Sequence, residues 1–282
     1  MVAACSGGAD SVAMTHALVT AGCAVHVAHI NHGLRESASL DEKCAQELAQ
    51  TLGVPFVSVT VDIEHRSNLE ERAREARRAA LMSLASNDAV IALAHTADDQ
   101  AETVVLRLIR GTGLDGIAAM ASPTAGIVRP LLHERRATLR AYCAVHHLAF
   151  ADDPMNEDQR FQRVRVRNEV MPLLSEIAQR DVVPVIARFG ELAASQRSAV
   201  SEILAHVPRS LTEPFPLAGI EQLTNAALAE LLRAWWGLPS LDRDALGRVI
   251  EVARNAVLAT EVSGGERVER QNGSLHRRPR AD

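Results

Sequence analysis

Ser6-Gly7-Gly8-Ala9-Asp10-Ser11 stands directly behind the apolar run Met1-Val2-Ala3-Ala4-Cys5. A buried strand that ends in Ser-Gly-Gly and opens into a helix leaves backbone N–H groups without internal partners, with the positive end of the helix dipole behind them. Such a turn is an anion cradle. Gly7 and Gly8 let a phosphate approach the backbone with no Cβ in the way, and Ser6 and Ser11 add hydroxyl donors. Asp10 would repel a bare phosphate, so a carboxylate there makes sense with Mg²⁺ between the two, and Asp10 is the candidate metal ligand. The plainer alternative is a strand-to-helix turn with Gly for geometry and Ser or Asp as the N-cap. Placed after the first strand of an α/β pattern, with both hydroxyls and the carboxylate present, the loop favours phosphate. No Gly-Lys-Ser/Thr follows, so it is not the Walker loop.

The densest chemistry lies in His95-Thr96-Ala97-Asp98-Asp99-Gln100-Ala101-Glu102-Thr103. With a helix starting near Asp98, the residues Asp99, Glu102 and Thr103 share one face. Asp99 and Glu102 then form a carboxylate pair able to hold a cation, either Mg²⁺ or a substrate ammonium. Asp98 alone reads as a helix cap, and an acidic first turn is also ordinary dipole complementarity. In another helix Arg74, Arg77 and Arg78 recur at helical spacing beside Glu70, Glu71 and Glu75. Such a run is commonly a solvated, ion-paired face, from which Arg74 could turn towards a nucleotide. Arg160, Arg163, Arg165 and Arg167 form a basic stripe suited to a phosphate backbone or to a solvated helix surface. Gly111-Thr112-Gly113-Leu114-Asp115-Gly116 reads as a mobile loop near the site or as a plain helix stop.

These residues need elements to position them, and the hydrophobic pattern supplies strands and helices in alternation. Strands are expected at Ala24–Ile30, Phe56–Val61 and Ala89–Ala94, with helices at Asp10–Ala21, Asp41–Leu52, from Ser67 and Asn68 onward, and at Asp98–Ile109. Arg129–Leu132 reads as a strand end that leads into a helix at Glu134–Val145. Repeated β–α units imply a parallel sheet covered by helices on both faces. Ligands bind outside the carboxyl ends of such strands. Ser6–Ser11, His29–Arg35 and His95–Glu102 each follow a strand, so they converge there.

Composition sets the frame. At 282 residues and 47% hydrophobic, the chain is long enough for two domains and can bury a core. A formal net charge of −5 argues against a basic nucleic-acid coat while allowing a local patch. Cys5, Cys23, Cys44 and Cys143 are scattered without a Cys-x-x-Cys pair, which disfavours a zinc ribbon or an iron–sulfur site and suits free thiols in a reducing cytosol. No long apolar run and no basic n-region mark a membrane span or a signal peptide. The expectation is a cytoplasmic protein with no membrane partner.

The ordered set of Ser-Gly-Gly-x-Asp-Ser, His29-Ile30-Asn31-His32-Gly33-Leu34-Arg35, Asn68-Leu69-Glu70-Glu71 with Ala73-Arg74, His95 to Thr103, Arg107-x-x-Arg110-Gly111-Thr112-Gly113, Arg129-Pro130-Leu131-Leu132 and Asp153-x-x-Asn156 resembles the tRNA(Ile)-lysidine synthetases, a family of PP-loop ATP pyrophosphatases. The likeness runs from residue 1 to about 175 and continues more weakly at Leu231–Trp236 and Arg243–Leu246. The resemblance implies a Rossmann-like sheet of the adenine nucleotide alpha hydrolase type in residues 1–175, then a smaller helical domain for tRNA or substrate in residues 176–282 that ends in a polar tail from Gly264 to Asp282. It implies that ATP adenylates the wobble cytidine of a CAU-anticodon tRNA(Ile) at its C2 oxygen, releasing pyrophosphate. The amine of L-lysine then displaces AMP. Carried onto this sequence, Ser6, Gly7, Gly8, Ala9, Asp10 and Ser11 hold pyrophosphate, Asp10 supports Mg²⁺, and the His29 region meets adenine through its backbone. Arg74, Asp99 and Glu102 sit where the family handles cytidine and lysine.

Three departures accompany the likeness. Met1 opens the first strand at once, Arg78 stands where an aromatic residue is common, and the extra C-terminal domain of the larger members is missing from this sequence. A tRNA thiolase is the nearest rival, but it would need a cysteine pair or cluster that the cysteine spacing disfavours. An amidating synthetase would need a glutaminase domain, and an inactive tRNA-binding module would have little use for Ser6, Asp10, Asp99 and Glu102. A monomer and a homodimer suit a chain of this size equally.

Overall fold

The computed structural model describes residues 1–31, 38–61, 69–85, 89–118, 120, 126–151, 162–205, 213–237, 241–262 and 265–278. His32 to Arg35, Ser67, Asn68, Asp152, Asp153, Asn156 and Arg160, all singled out by the sequence, lie outside the described residues. The chain forms two compact units, Met1–Ser198 and Ala199–Asp282.

The first unit begins as alternating strands and helices: β1 (Val2–Ala4), α1 (Ala9–Thr20), β2 (His26–Asn31), α2 (Ala38–Leu52), β3 (Phe56–Thr60), α3 (Leu69–Leu84), β4 (Ile91–Ala92), α4 (Ala97–Ile109), α5 (Leu114–Ile117), β5 (Ile127–Val128) and α6 (Arg136–Val145). The strands form one parallel sheet in the order β3-β2-β1-β4-β5. Alternation along the strands decides which face each residue covers. Ala3, Cys5 and Val27 pack with Val12, Ala13, Ala45, Leu139 and Cys143 from α1, α2 and α6. Val2, Ala28 and Ile91 point the other way and meet Leu81 of α3. The expected sheet with helices on both faces is therefore present. Chain order reverses between β1 and β4, so the crevice at their carboxyl ends is the switch point where doubly wound sheets bind ligands. The loop from Ser6 leaves β1 there, and the segment from His95 leaves β4.

The rest of the unit is helical: α7 (Gln162–Arg165), a π-helical turn (Val166–Val170), α8 (Met171–Ala178) and α9 (Val183–Ala205). The compact unit extends to Ser198, past the boundary at residue 175 read from the sequence. The cause is packing against α4: Ala187 lies in one cluster with Ala101 and Val105, and Ala193 in another with Val104 and Ile117. Gly190 permits that approach, since a Cβ there would lie 2.5 Å from Gln100 Nε2 and 3.2 Å from Val104 Cγ2.

The second unit corrects the expectation of helices followed by a polar tail. Besides α10 (Asn225–Trp236) and α11 (Arg243–Ala253) it holds β6 (Phe215–Pro216), β7 (Ala259–Glu261), β8 (Arg267–Gln271) and β9 (Ser274–Arg278). The strands make an antiparallel sheet in the order β6-β9-β8-β7. Val268 and Leu275 are fully buried against Phe215, Leu232, Trp235 and Val249, so two apolar residues suffice to hold this polar segment in the core. Asn272-Gly273, both at positive φ, turn β8 into β9. Arg277 lies over the Trp236 ring at 4.0 Å and pairs with Glu266, which explains how a charged strand tolerates half-burial.

Candidate active site

The loop after β1 is shaped by its glycines. Gly7 has φ +88°, and a Cβ on it would lie 2.5 Å from the Asp41 carbonyl oxygen, so only glycine fits. Gly8 is the N-cap of α1 without a side-chain cap, which leaves the amides of the first turn facing outward as donors. Ser11 is buried and works internally: its hydroxyl donates to the Gly8 carbonyl at 2.9 Å and accepts from the Ser6 amide at 3.1 Å. Ser6 remains exposed at the lip. Ala9 is packed into the core below. The His29 ring is buried, with Nδ1 2.9 Å from the Cys5 carbonyl, so it braces the residue ahead of the loop. Arg74 belongs to α3, and its side chain lies outside the described residues.

The second half of the site is set by the start of α4. Thr96, not Asp98, is its N-cap, in a capping box where Thr96 Oγ1 and the Thr96 amide both donate to Asp99 Oδ2 at 2.9 Å. Asp99 is thereby turned back over the helix end with Oδ1 free to face inward. Asp98 instead reaches across to α6, where it accepts from Arg135 and from the Arg136 amide at 2.9 Å. Glu102, one turn on, is 2% exposed.

Asp10, Asp99 and Glu102 do converge, and a guanidinium lies among them. Arg136 donates through Nε to Asp10 at 3.4 Å, through Nη2 to Asp99 at 3.0 Å and through Nη1 to Glu102 at 3.3 Å. Glu102 is also gripped by Arg167, at 2.7 Å through Nε and 3.2 Å through Nη2. Arg163 lies 3.7 Å from Glu102 and donates to Thr103 at 2.8 Å. The expected basic stripe is thus divided. Arg163 of α7 and Arg167 of the π-helical turn face inward, and among the described residues of the stripe Arg165 is the one that faces solvent, paired with Glu169. Sequence reasoning missed Arg136. The available signal was a cation in the first turn of a helix, where the dipole disfavours one, so that some acidic partner had to be near.

The charges act unequally on the three acids. Burial opposes ionisation of Asp99, but Arg136, the Thr96 amide and His95 outweigh it and hold the carboxyl below its ordinary range. Asp98 is lowered likewise, burial being overcome by Arg135 and the Arg136 amide. Asp10 moves up, because burial and the neighbouring Asp99 outweigh its longer contact to Arg136. Its Oδ1 is buried without a hydrogen-bond partner. That open acceptor, beside outward amides, fits a cation carried on phosphate. The thiols do not suit nucleophilic work. Cys5, Cys44 and Cys143 are held by Ser11, Ala149 and Ala9, and burial raises all three.

Fold and site together define a nucleotide-binding domain of the PP-loop class: residues 1–174 match the family described as the PP-loop domain. Relatives narrow the class. The tRNA(Ile)-lysidine synthase of Nocardia farcinica is 39% identical over 236 residues, 82% of this chain and 74% of its own length. That of Pseudomonas syringae pv. tomato is 33% identical over 237 residues, 80% of this chain and 53% of its own, so the chain spans about half the length of this longer relative. The chain belongs to the tRNA(Ile)-lysidine synthase family. A solved structure, the U34-tRNA thiolase NcsA of Methanococcus maripaludis with its [4Fe-4S] cluster, is similar at TM-score 0.56 and 15% identity over 76% of this chain and 74% of that one, a likeness of fold alone.

Proposed function

We propose that the chain ligates L-lysine to C2 of the wobble cytidine of a CAU-anticodon tRNA(Ile), using ATP and passing through an adenylated cytidine. The observation that carries this reading is the meeting of Asp10, Asp99 and Glu102 at the mouth of a glycine loop. Gly7, Gly8 and the amides opening α1 hold the triphosphate, and Ser6 caps the lip. Mg²⁺ bound at Asp10 would neutralise charge on the departing pyrophosphate. Asp99 and Glu102 orient the lysine ammonium for the second step, Asp99 being kept ionised by its surroundings. Arg74 contacts cytidine or nucleotide from α3. The second unit, with the segment after residue 175, contacts the tRNA. Compartment follows the reaction: a tRNA-modifying ligase works in the cytoplasm, and among the described residues no helix is long and apolar enough to cross a membrane.

The test is incubation with ATP, Mg²⁺, radiolabelled lysine and tRNA(Ile) with the CAU anticodon. Label should enter this tRNA, not tRNA(Met), and Asp10→Ala should abolish it. Pyrophosphate release on tRNA without label would replace lysine by another nucleophile.

A further inference from the structure

Arg136 stands where the reaction needs other cations. Its anchoring is unlike that of its neighbours. Arg135 holds Asp98 with two nitrogens, at 3.1 and 3.2 Å, and Arg167 holds Glu102 with two, at 2.7 and 3.2 Å. Arg136 gives one nitrogen to each of three acids, at 3.4, 3.0 and 3.3 Å. Charge-assisted pairs run to about 2.7–2.9 Å when well made, and forked pairs are the stronger kind. The central guanidinium is therefore shared among three acids without a forked pair to any of them, unlike Arg135 and Arg167. Its backbone is fixed separately by Asp98, so the side chain can leave without unravelling α6. The opening turn of that helix gives it no help, because the dipole there repels a cation. The charges nearly cancel: Asp10, Asp98, Asp99, Glu102 and Asp181 face Arg135, Arg136, Arg163 and Arg167. A metal ion or an ammonium entering beside Arg136 would meet like charge in a half-buried site. The loop from Ser6 is adjacent through Asp10, so bound phosphates would offer the guanidinium a better partner within side-chain reach.

We infer that Arg136 is an internal stand-in cation, which fills the place of metal and substrate ammonium among Asp10, Asp99 and Glu102 and bars cation binding until the phosphates of a nucleotide draw it off. The inference rests on the function proposed above and adds an order to it: nucleotide binds before lysine, and an empty enzyme does not sequester free lysine.

Mn²⁺ alone is the first probe, titrated by electron paramagnetic resonance into the full chain without nucleotide. Arg136→Gln should bind Mn²⁺ about tenfold more tightly than wild type, the size of one charged contact no longer displaced. Asp10→Asn added to Arg136→Gln should cancel the gain. Arg135→Gln removes a neighbouring charge, paired to Asp98 and Asp181, that is not in the way, and should give a smaller change. Equal affinity in wild type and folded Arg136→Gln, or an equal gain in Arg135→Gln, overturns the inference. If Arg136→Gln does not fold, Arg136→Lys serves: one nitrogen cannot span three acids, so affinity should still rise, and no rise overturns the inference. In a second arm, L-lysine should bind wild type only with α,β-methylene-ATP and bind Arg136→Gln without it. A gain for Mn²⁺ with no lysine binding in either protein supports the role of Arg136 and counts against lysine as the substrate.

Discussion

Each acid at the centre of the site has a partner that assigns it a different task. Asp99 is tied through Oδ2 to the Thr96 cap and keeps Oδ1 for the centre, whereas Asp10 has one oxygen on Arg136 and one on nothing. Their titration should differ in sign. Asp98 and Asp99 have folded pKa values below the unfolded ones, so the stability they lend is present above about pH 4 and is lost as pH falls through the lowered folded values. Asp10 is raised, so it costs stability once ionised and returns that cost on protonation. Thermal melting against pH should show an acid limb in wild type that flattens in Asp98→Asn, while Asp10→Asn should raise the melting temperature near neutrality. The same Asp10→Asn should stop pyrophosphate release, a trade of stability for function that a combined melting and activity measurement would show. Gly7→Ala has no such compensation. The positive φ and the Asp41 carbonyl both oppose a Cβ, and a loss of about 1–3 kcal/mol in urea unfolding is expected, with nucleotide binding lost as well.

At the scale of elements, the start of α4 and its contact with α9 decide whether the acids meet at all. Thr96 is fully buried and donates and accepts within one capping box. Thr96→Ala should cost about 1–2 kcal/mol by urea unfolding and should release Asp99 from its orientation, seen as a larger fall in kcat than in stability. Gly190 presents the opposite balance. Ala would gain about 1 kcal/mol of helix propensity, but its Cβ would press on Gln100 and Val104 where Gln100 is only 1% exposed and has nowhere to swing. Overpacking of this kind costs about 1–3 kcal/mol, so Gly190→Ala should come out net destabilising. Much of this level was legible: periodicity gave the α/β alternation, and the spacing of Asp99 and Glu102 gave their common face. The cap was misplaced by two residues, because Thr96 and Asp98 are both good cap types and only the extended backbone of Thr96 distinguishes them.

At the scale of the whole molecule, the two units have separate cores and should be separately observable. Both tryptophans, Trp235 and Trp236, lie in the core of the second unit, so tryptophan fluorescence reads that unit and far-ultraviolet dichroism reads the whole. Leu275→Ala, at a fully buried position of β9, should destabilise the second unit by about 2–5 kcal/mol and lower the fluorescence midpoint. The strands β8 and β9 were hidden in the sequence, since a segment with Arg267, Glu269, Arg270, Arg277 and Arg278 carries almost no apolar alternation. Their burial depends on two residues and on α10 and α11, which lie far off in sequence.

The sequence by itself determined the local chemistry: a glycine turn that tolerates no side chain, acids placed one helical turn apart, strands that must be buried on both faces, and the order of motifs that marks the family. These follow from backbone geometry and short-range periodicity, which adjacent residues carry. The tertiary structure alone decided what faces the acids. Arg136 is 34 residues from Glu102 and 126 from Asp10 in the chain, and no local rule relates them. Only when α6 packs against α1 and α4 presents its first turn to the same crevice do a guanidinium and three carboxylates meet, because long-range electrostatic neighbours are made by packing rather than by spacing.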